Sequence, residues 1–414
     1  MPPLFPITPA RLRSSAGRLV RRLGLQPGGE PDGLGEDARL GDLALDQQVV
    51  VFFPEPPRNA YQLEQWLEPL AALDERHGVV VLTQDSRTTA RLRQVTALPV
   101  FCVAWTATME ALVRRSSLAL ALYVSHHPRN FQFLRWPELA HVHLGHGDSD
   151  KAVSASNQLK AYDRVFVAGQ AGADRITETL LWFDIDRLVH VGRPQLAAPV
   201  HRERPAAGPA TVLYAPTWEG AQKSMSYSSV ASHGVSLVRS LVDAGFRVVY
   251  RPHPRTGANR ADTAAADTAV RAVVDTPEAA ATGSAVVTDV PLQQAFAHAD
   301  ALVTDVSSVA VEWLSTGRPL VVTVPAEPEA TLSRSPLLDA VPRLRAEEAG
   351  TAGELVRDRL DDDAEAGARE ELLEHYLGGA TGAAAQDRFL DACSTVLAER
   401  GAALAALGAL GAGR

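Results

Sequence analysis

The sequence predicts an α/β protein of two parallel-sheet domains with a ligand cleft between them. Three observations predict it. At 414 residues the chain is longer than one hydrophobic core usually covers. Short apolar, β-branched runs alternate with helical stretches from residue 45 onward. A polar, proline-containing stretch from Ala197 to Pro209 interrupts that alternation, which then restarts.

In the first half, Val49 to Phe53, Val79 to Leu82, Val100 to Ala104, Leu118 to Val124, His141 to Leu144, Arg164 to Val167 and Leu188 to Val191 read as strands. They are apolar throughout rather than alternating, as suits strands covered on both faces of a parallel sheet. The second half repeats the pattern at Val212 to Ala215, Arg247 to Tyr250, Val286 to Val287, Ala301 to Thr304 and Leu320 to Val324. The expected organisation is therefore a basic segment over 1–44, an α/β domain over 45–196, a second over 210–380, and a C-terminal helix and tail over 381–414. Beyond Leu338 the chain turns acidic and helical, with Asp361 to Asp363 a solvated face and the Phe389 to Leu407 stretch a packing helix.

Composition narrows the partners. A formal net charge of −9 argues against nucleic-acid binding, which needs a basic field. Cys102 and Cys393 lie far apart without metal-ligand spacing, so neither a disulfide framework nor a structural zinc site is expected, and a reducing cytoplasm fits. No run approaches the roughly 20 apolar residues that cross a bilayer. The first 29 residues hold five arginines and no acid, and Leu12, Leu19, Val20 and Leu23 share a face if Ala10 to Leu23 is helical. That segment reads either as a reversible anchor on anionic inner-leaflet lipid or as a disordered leader.

In open parallel sheets ligands sit beyond the carboxyl ends of strands, so the polar turns there carry the candidate chemistry. The first turn is His141-Val-His-Leu-Gly-His-Gly-Asp-Ser-Asp-Lys151. Gly145 and Gly147 bracket His146 and let backbone approach a ligand with the imidazole at the tip. A histidine is the side chain most easily poised as a general base near neutral pH, and Lys151 reaches toward a phosphate from the following helix. Structural roles remain open for all three histidines. His141, His143 and His146 also have the spacing of the HxHxDH zinc motif, but Gly145 stands where the metal-binding Asp belongs, so no metal is expected.

The second turn, Tyr214-Ala-Pro-Thr-Trp218, follows a strand that Pro216 ends, and presents Thr217 and Trp218 either to the cleft or, for Trp218, to the core. The third, Arg251-Pro-His-Pro254, holds Arg251 and His253 in a preset extended geometry suited to a diphosphate. The fourth, Thr304-Asp-Val-Ser-Ser-Val-Ala-Val-Glu312, joins a strand to a helix. Ser307 and Ser308 sit where the first helical N–H groups are unpaired, which makes an anion site; ordinary capping by Asp305 or Ser307 is the alternative. Glu312, one turn along, is placed to accept from ribose hydroxyls.

Taken in order, these segments resemble the CDP-glycerol glycerophosphotransferase family, the teichoic-acid primases and polymerases. The family pattern runs W-H-G-T-P-x-K, Y-A-P-T-W, R-P-H-P and D-Y-S-S-x-x-x-[DE], matched here across roughly 140 to 325. The resemblance implies a GT-B-like fold of two facing Rossmann-type domains and no cofactor. It implies that His146 is the base, with Asp148 and Lys151 beside it as catalytic candidates, and that Arg251, His253, Asp305, Ser307, Ser308 and Glu312, with Thr217 and Trp218, hold a CDP-activated polyol donor. Gly145 replaces the family Trp, Asp148-Ser149-Asp150 replaces Thr-Pro-x, and Val306 replaces Tyr. The implied activity is transfer of a polyol phosphate, most simply glycerol phosphate, to a hydroxyl of a teichoic-acid-like polymer or its lipid-linked precursor. The implied location is cytoplasmic, peripheral on the inner membrane face. A nucleotide-sugar glycosyltransferase is the competing enzyme, and a non-catalytic envelope-assembly scaffold the competing class.

Overall fold

The structure, a computed structural model, describes residues 33–145, 147, 156–196, 208–330 and 335–412. The basic segment over residues 1–29 and most of the expected linker lie outside the described residues.

Among the described residues thirteen strands form two sheets, in which neighbouring strands pair in parallel. The first sheet contains β1 (Val49–Phe53), β2 (Val79–Thr83), β3 (Val100–Cys102), β4 (Leu120–Tyr123), β5 (Ala140–His143), β6 (Arg164–Val167) and β7 (Leu188–His190), in the order β3-β2-β1-β4-β5-β6-β7. The second contains β8 (Thr211–Ala215), β9 (Arg247–Tyr250), β10 (Ala285–Val286), β11 (Ala301–Thr304), β12 (Leu320–Thr323) and β13 (Arg343–Leu344), in the order β10-β9-β8-β11-β12-β13. Each sheet runs outward from its first strand and then reverses, so a switch point falls between β1 and β4 and again between β8 and β11. This is the doubly wound Rossmann-type order. The strands are central because their sequences are apolar on both faces: β1 and β8 are buried at every residue.

The expected strands are present, with instructive differences at their ends. β3 stops at Cys102 because the N–H groups of Ala104 and Trp105 are taken by the Asp37 carboxylate, at 2.9 and 3.0 Å. Glu36 beside it accepts from the Cys102 N–H at 2.7 Å. Two adjacent acids thus stitch residues 36–37 onto the sheet, so the described part of the 1–44 segment is integral to the first domain. β13, two residues long, is too short to leave a periodic signal.

The chain divides into two compact bodies. The first gathers the described residues up to 145, with 158–166 and 389–412; the second holds 147, 156–157 and 167–388. Two boundaries differ from the expectation. Residues 167–196 group with the second body because glycines let that segment lie directly on residues 375–385. A Cβ on Gly169 would stand 2.6 Å from the His375 carbonyl oxygen, and one on Gly192 2.7 Å from that of Ala380. The long helix Gly382–Ala412 returns to the first body instead of forming a separate tail. Phe389 packs on Trp66 and Phe166, with ring centroids 5.3 and 6.3 Å away, and Arg76–Asp391 and Arg164–Glu399 ion pairs of 2.9 Å flank it. Among the described residues no helix is long and apolar enough to cross a membrane.

Candidate active site

The second sheet's switch point is organised by one buried acid. Asp305 follows β11 directly and is fully buried. Its Oδ2 accepts from the Thr217 N–H at 2.7 Å, and its Oδ1 from the Ser229 N–H at 3.2 Å and the Thr323 hydroxyl at 2.6 Å. Burial pushes the carboxyl above its ordinary range, against the pull of these hydrogen bonds. Thr304 adds a bond to the Ala215 carbonyl at 2.6 Å. The loops leaving β8 and β11 are therefore locked together. Asp305 spends its carboxylate inside the protein, where it holds the loops after β8 and β11 together.

The segments after β8 and β9 fold onto each other. The Arg255 guanidinium lies 3.6 Å from the centre of the Trp218 ring, a close cation–π contact, and the His253 ring stacks near the same indole at 6.3 Å. Trp218 is half-buried rather than a core residue. Glu219, buried next to it, accepts from the N–H groups of Gly257, Asn259 and Arg260 at 2.9, 2.7 and 3.3 Å. Arg255 and Glu219 are absent from the sequence-based site. Glu219 carried a signal, as an acid one residue past a predicted ligand turn.

At the serine turn the helix Ser308–Trp313 begins where the sequence placed it. Ser307 stands at the N-cap position with extended backbone, yet its side chain makes no capping bond. Its buried hydroxyl has no hydrogen-bond partner among the described residues. With Asp305 committed elsewhere, ordinary capping does not account for this turn, and Ser307 Oγ remains a spare polar group beside it.

Glu312 is buried and accepts from Arg193 at 3.1 Å, a pair no local pattern announces because 119 residues separate them. Arg251 is half-buried and donates to the Val290 carbonyl at 3.2 Å, while its Nε has no partner among the described residues. Burial pushes the Arg251 guanidinium down from its ordinary value and the charge of Glu312 pulls it back up. Glu312 thus neutralises Arg193 by direct contact and acts on Arg251 only through its charge. Within the second body, a Cβ on Gly147 would lie 3.3 Å from Ser308 Cβ and 3.9 Å from an Arg193 nitrogen. A side chain at 147 would crowd Ser308 by a few tenths of an ångström.

Within the first body, Gly145 takes a left-handed φ of 68° and its carbonyl accepts from the Trp66 indole at 2.7 Å, which fixes the start of the glycine turn. His141 is buried, with one ring nitrogen 3.0 Å from the Tyr123 hydroxyl and the other 2.9 Å from the Trp136 carbonyl. Both nitrogens being engaged, it is a structural histidine and no member of a zinc triad. His143 stacks on His126 at 4.3 Å and lies tilted against Tyr162 at 5.1 Å. His146, Asp148 and Lys151 lie outside the described residues.

The profile of one protein family, CDP-glycerol:poly(glycerophosphate) glycerophosphotransferase, matches residues 58–331, well over half the chain. The chain belongs to that family. It is accordingly a transferase that uses CDP-glycerol. No curated protein sequence matches this family member. Solved structures agree in fold at low identity. The wall teichoic acid polymerase TagF, in a variant soaked with CDPG, superposes with a TM-score of 0.56 at 12% identity, covering 95% of this chain and 99% of that one. A glycosyltransferase from Rickettsia africae gives 0.52 at 11%, over 85% and 99%. MnaA of S. aureus in complex with UDP gives 0.52 at 11%, over 85% and 97%. The GT-B-like class of the family member follows from these likenesses, together with the two Rossmann-type sheets.

Proposed function

We propose that this glycerophosphotransferase moves glycerol phosphate from CDP-glycerol to a terminal hydroxyl of a teichoic-acid-like polymer or its lipid-linked precursor. The observation that carries the reading is the cluster at the ends of β8, β9 and β11. Arg251, whose Nε has no hydrogen-bond partner among the described residues, and the unpartnered Ser307 hydroxyl supply positive charge and hydrogen-bond donors suited to a diphosphate, with Arg193 paired to Glu312 of the same motif as Ser307.

In this reaction the acceptor oxygen attacks the phosphorus that bears glycerol. The bridging P–O bond breaks and CMP leaves with the bridging oxygen. His146 takes the acceptor proton, and Asp148 and Lys151 are the further catalytic candidates of the same segment. Arg251, His253 and the Ser307–Ser308 turn neutralise charge moving onto CMP. Thr217 and Trp218 wall the nucleotide side. The close approach of Gly147 to Ser308 supports the reading, because it brings the residue after His146 to the proposed diphosphate site. The enzyme works in the cytoplasm, drawn to the inner membrane face by the arginines of residues 1–29.

The test is turnover. Purified enzyme with CDP-glycerol and a glycerol-phosphate oligomer should release CMP and lengthen the oligomer by one unit per event. Release of a nucleoside diphosphate from a sugar nucleotide, with CDP-glycerol left intact, would instead make it a glycosyltransferase.

A further inference from the structure

One surface feature plays no part in the donor site. After the helix Gln170–Thr179, Leu180 is buried and anchors the chain, and the next residues project outward. Leu181 is 77% exposed, Trp182 96% and Ile185 59%. Trp182 also has a left-handed φ of 56°, the one non-glycine residue with positive φ among those described. For a bulky side chain that conformation is an outlier that costs free energy. The strain holds the largest apolar side chain of the segment in water, not in the core. The tip is held firmly: Leu180 N–H bonds to Ile176, and Asp184 accepts from the Asp186 N–H at 3.1 Å and pairs with Arg187 at 3.6 Å.

We propose that the Leu181–Ile185 tip is a wedge that inserts into the interfacial region of a lipid bilayer. A second copy of the chain is the competing occupant, and area decides against it. Three projecting side chains bury on the order of 500 Å², whereas a stable dimer needs about 800 Å² from each partner. A tip led by tryptophan and flanked by aliphatic residues has the amphipathic character favoured at membrane–water boundaries. The charged residues around it, Arg175, Glu178, Asp184, Asp186 and Arg187, include both signs and give no basic field. Attachment here is therefore apolar and independent of anionic lipid, unlike the attraction proposed for residues 1–29. The wedge rests on the proposed lipid-linked acceptor only for its purpose; it would hold the enzyme at the surface where such an acceptor is presented.

The full chain and its Leu181→Ser/Trp182→Ser double variant are compared by co-sedimentation with neutral phosphatidylcholine vesicles at high salt, where the arginine-rich segment contributes nothing. The native chain should bind and the variant should lose on the order of tenfold in partitioning. Quenching of tryptophan fluorescence by brominated lipid should fall in parallel. Both proteins should melt at nearly the same temperature, because these side chains are mostly exposed. Equal partitioning of the two, or no binding by the native chain, overturns the wedge. So does a concentration-dependent dimer that the variant abolishes. Turnover on a soluble glycerol-phosphate oligomer, measured in the same preparations, should be unchanged by the variant. Its absence in both proteins would count against the proposed reaction and leave the wedge result standing.

Discussion

Arg193 and Glu312 meet at 3.1 Å with both side chains buried, and Glu312 at the same time supports the charge on Arg251. One carboxylate, near the end of the serine-turn helix, thus faces Arg193 directly and Arg251 through its charge. A buried pair is costly to break from one side, since the remaining charge is left uncompensated.

Glu312→Ala should therefore lower stability by about 3 kcal/mol, read as a fall in denaturation midpoint. The double variant Arg193→Met/Glu312→Leu should recover much of that loss without restoring donor affinity. Full recovery of CDP-glycerol binding in the double variant would confine the pair to a structural role.

Arg251→Ala should weaken CDP-glycerol binding by about 10- to 100-fold, the effect of removing one charge-assisted donor. Ser308→Pro tests the same site from the backbone. Ser308 is the first helical residue, where proline is tolerated, so the change removes an N–H at little cost to the helix. If titration calorimetry finds both affinities unaltered, the diphosphate lies elsewhere.

His146→Ala should reduce kcat by roughly 100-fold or more with donor affinity nearly unchanged, as expected when a general base is lost. Single-turnover release of CMP separates the chemical step from binding. A folded His146→Ala enzyme with native turnover would remove the histidine from the mechanism.

His141 and His233 are both buried, and burial lowers each below the ordinary 6.5; the neighbouring Asp163 and Asp305 respectively oppose the shift. A depressed histidine binds its proton in the unfolded chain before the folded one. Their contribution is thus complete above about pH 6.5 and declines as pH falls toward the folded-state values, by about 1.4 kcal/mol per pH unit for each proton. Thermal midpoints should drop between pH 7 and pH 5, and His141→Gln/His233→Gln should flatten that profile. A profile as steep in the double variant would assign acid sensitivity to other groups.

Deleting residues 1–29 should abolish salt-sensitive binding to anionic vesicles, because five arginines at about 1 kcal/mol each give only weak attachment. Undiminished anionic-lipid binding by the truncated chain would make this segment a passive leader.

The strands were legible because burial on both faces leaves an unbroken apolar run, and β1 and β11 begin and end where those runs do. The turns proposed to hold the donor stand out for a related reason: chain direction in a parallel sheet puts the residues after each strand at one end, so Tyr214 to Trp218, Arg251 to Pro254 and Asp305 to Ser308 are marked by position.

Tertiary structure alone decided how those turns are held and which side chains remain available. Asp305 lies in the ligand motif, yet its oxygens are consumed by Thr217, Ser229 and Thr323, which are 88, 76 and 18 residues away in sequence. Arg193 sits in no motif and reaches Glu312 across 119 residues. The final helix returns Phe389 to Trp66, a pairing that spacing within either segment does not encode. Local sequence determines periodicity and turn chemistry, which depend on near neighbours. The partner of a buried charge or ring depends on which distant surfaces the sheets bring within a few ångströms, and only the folded chain specifies that.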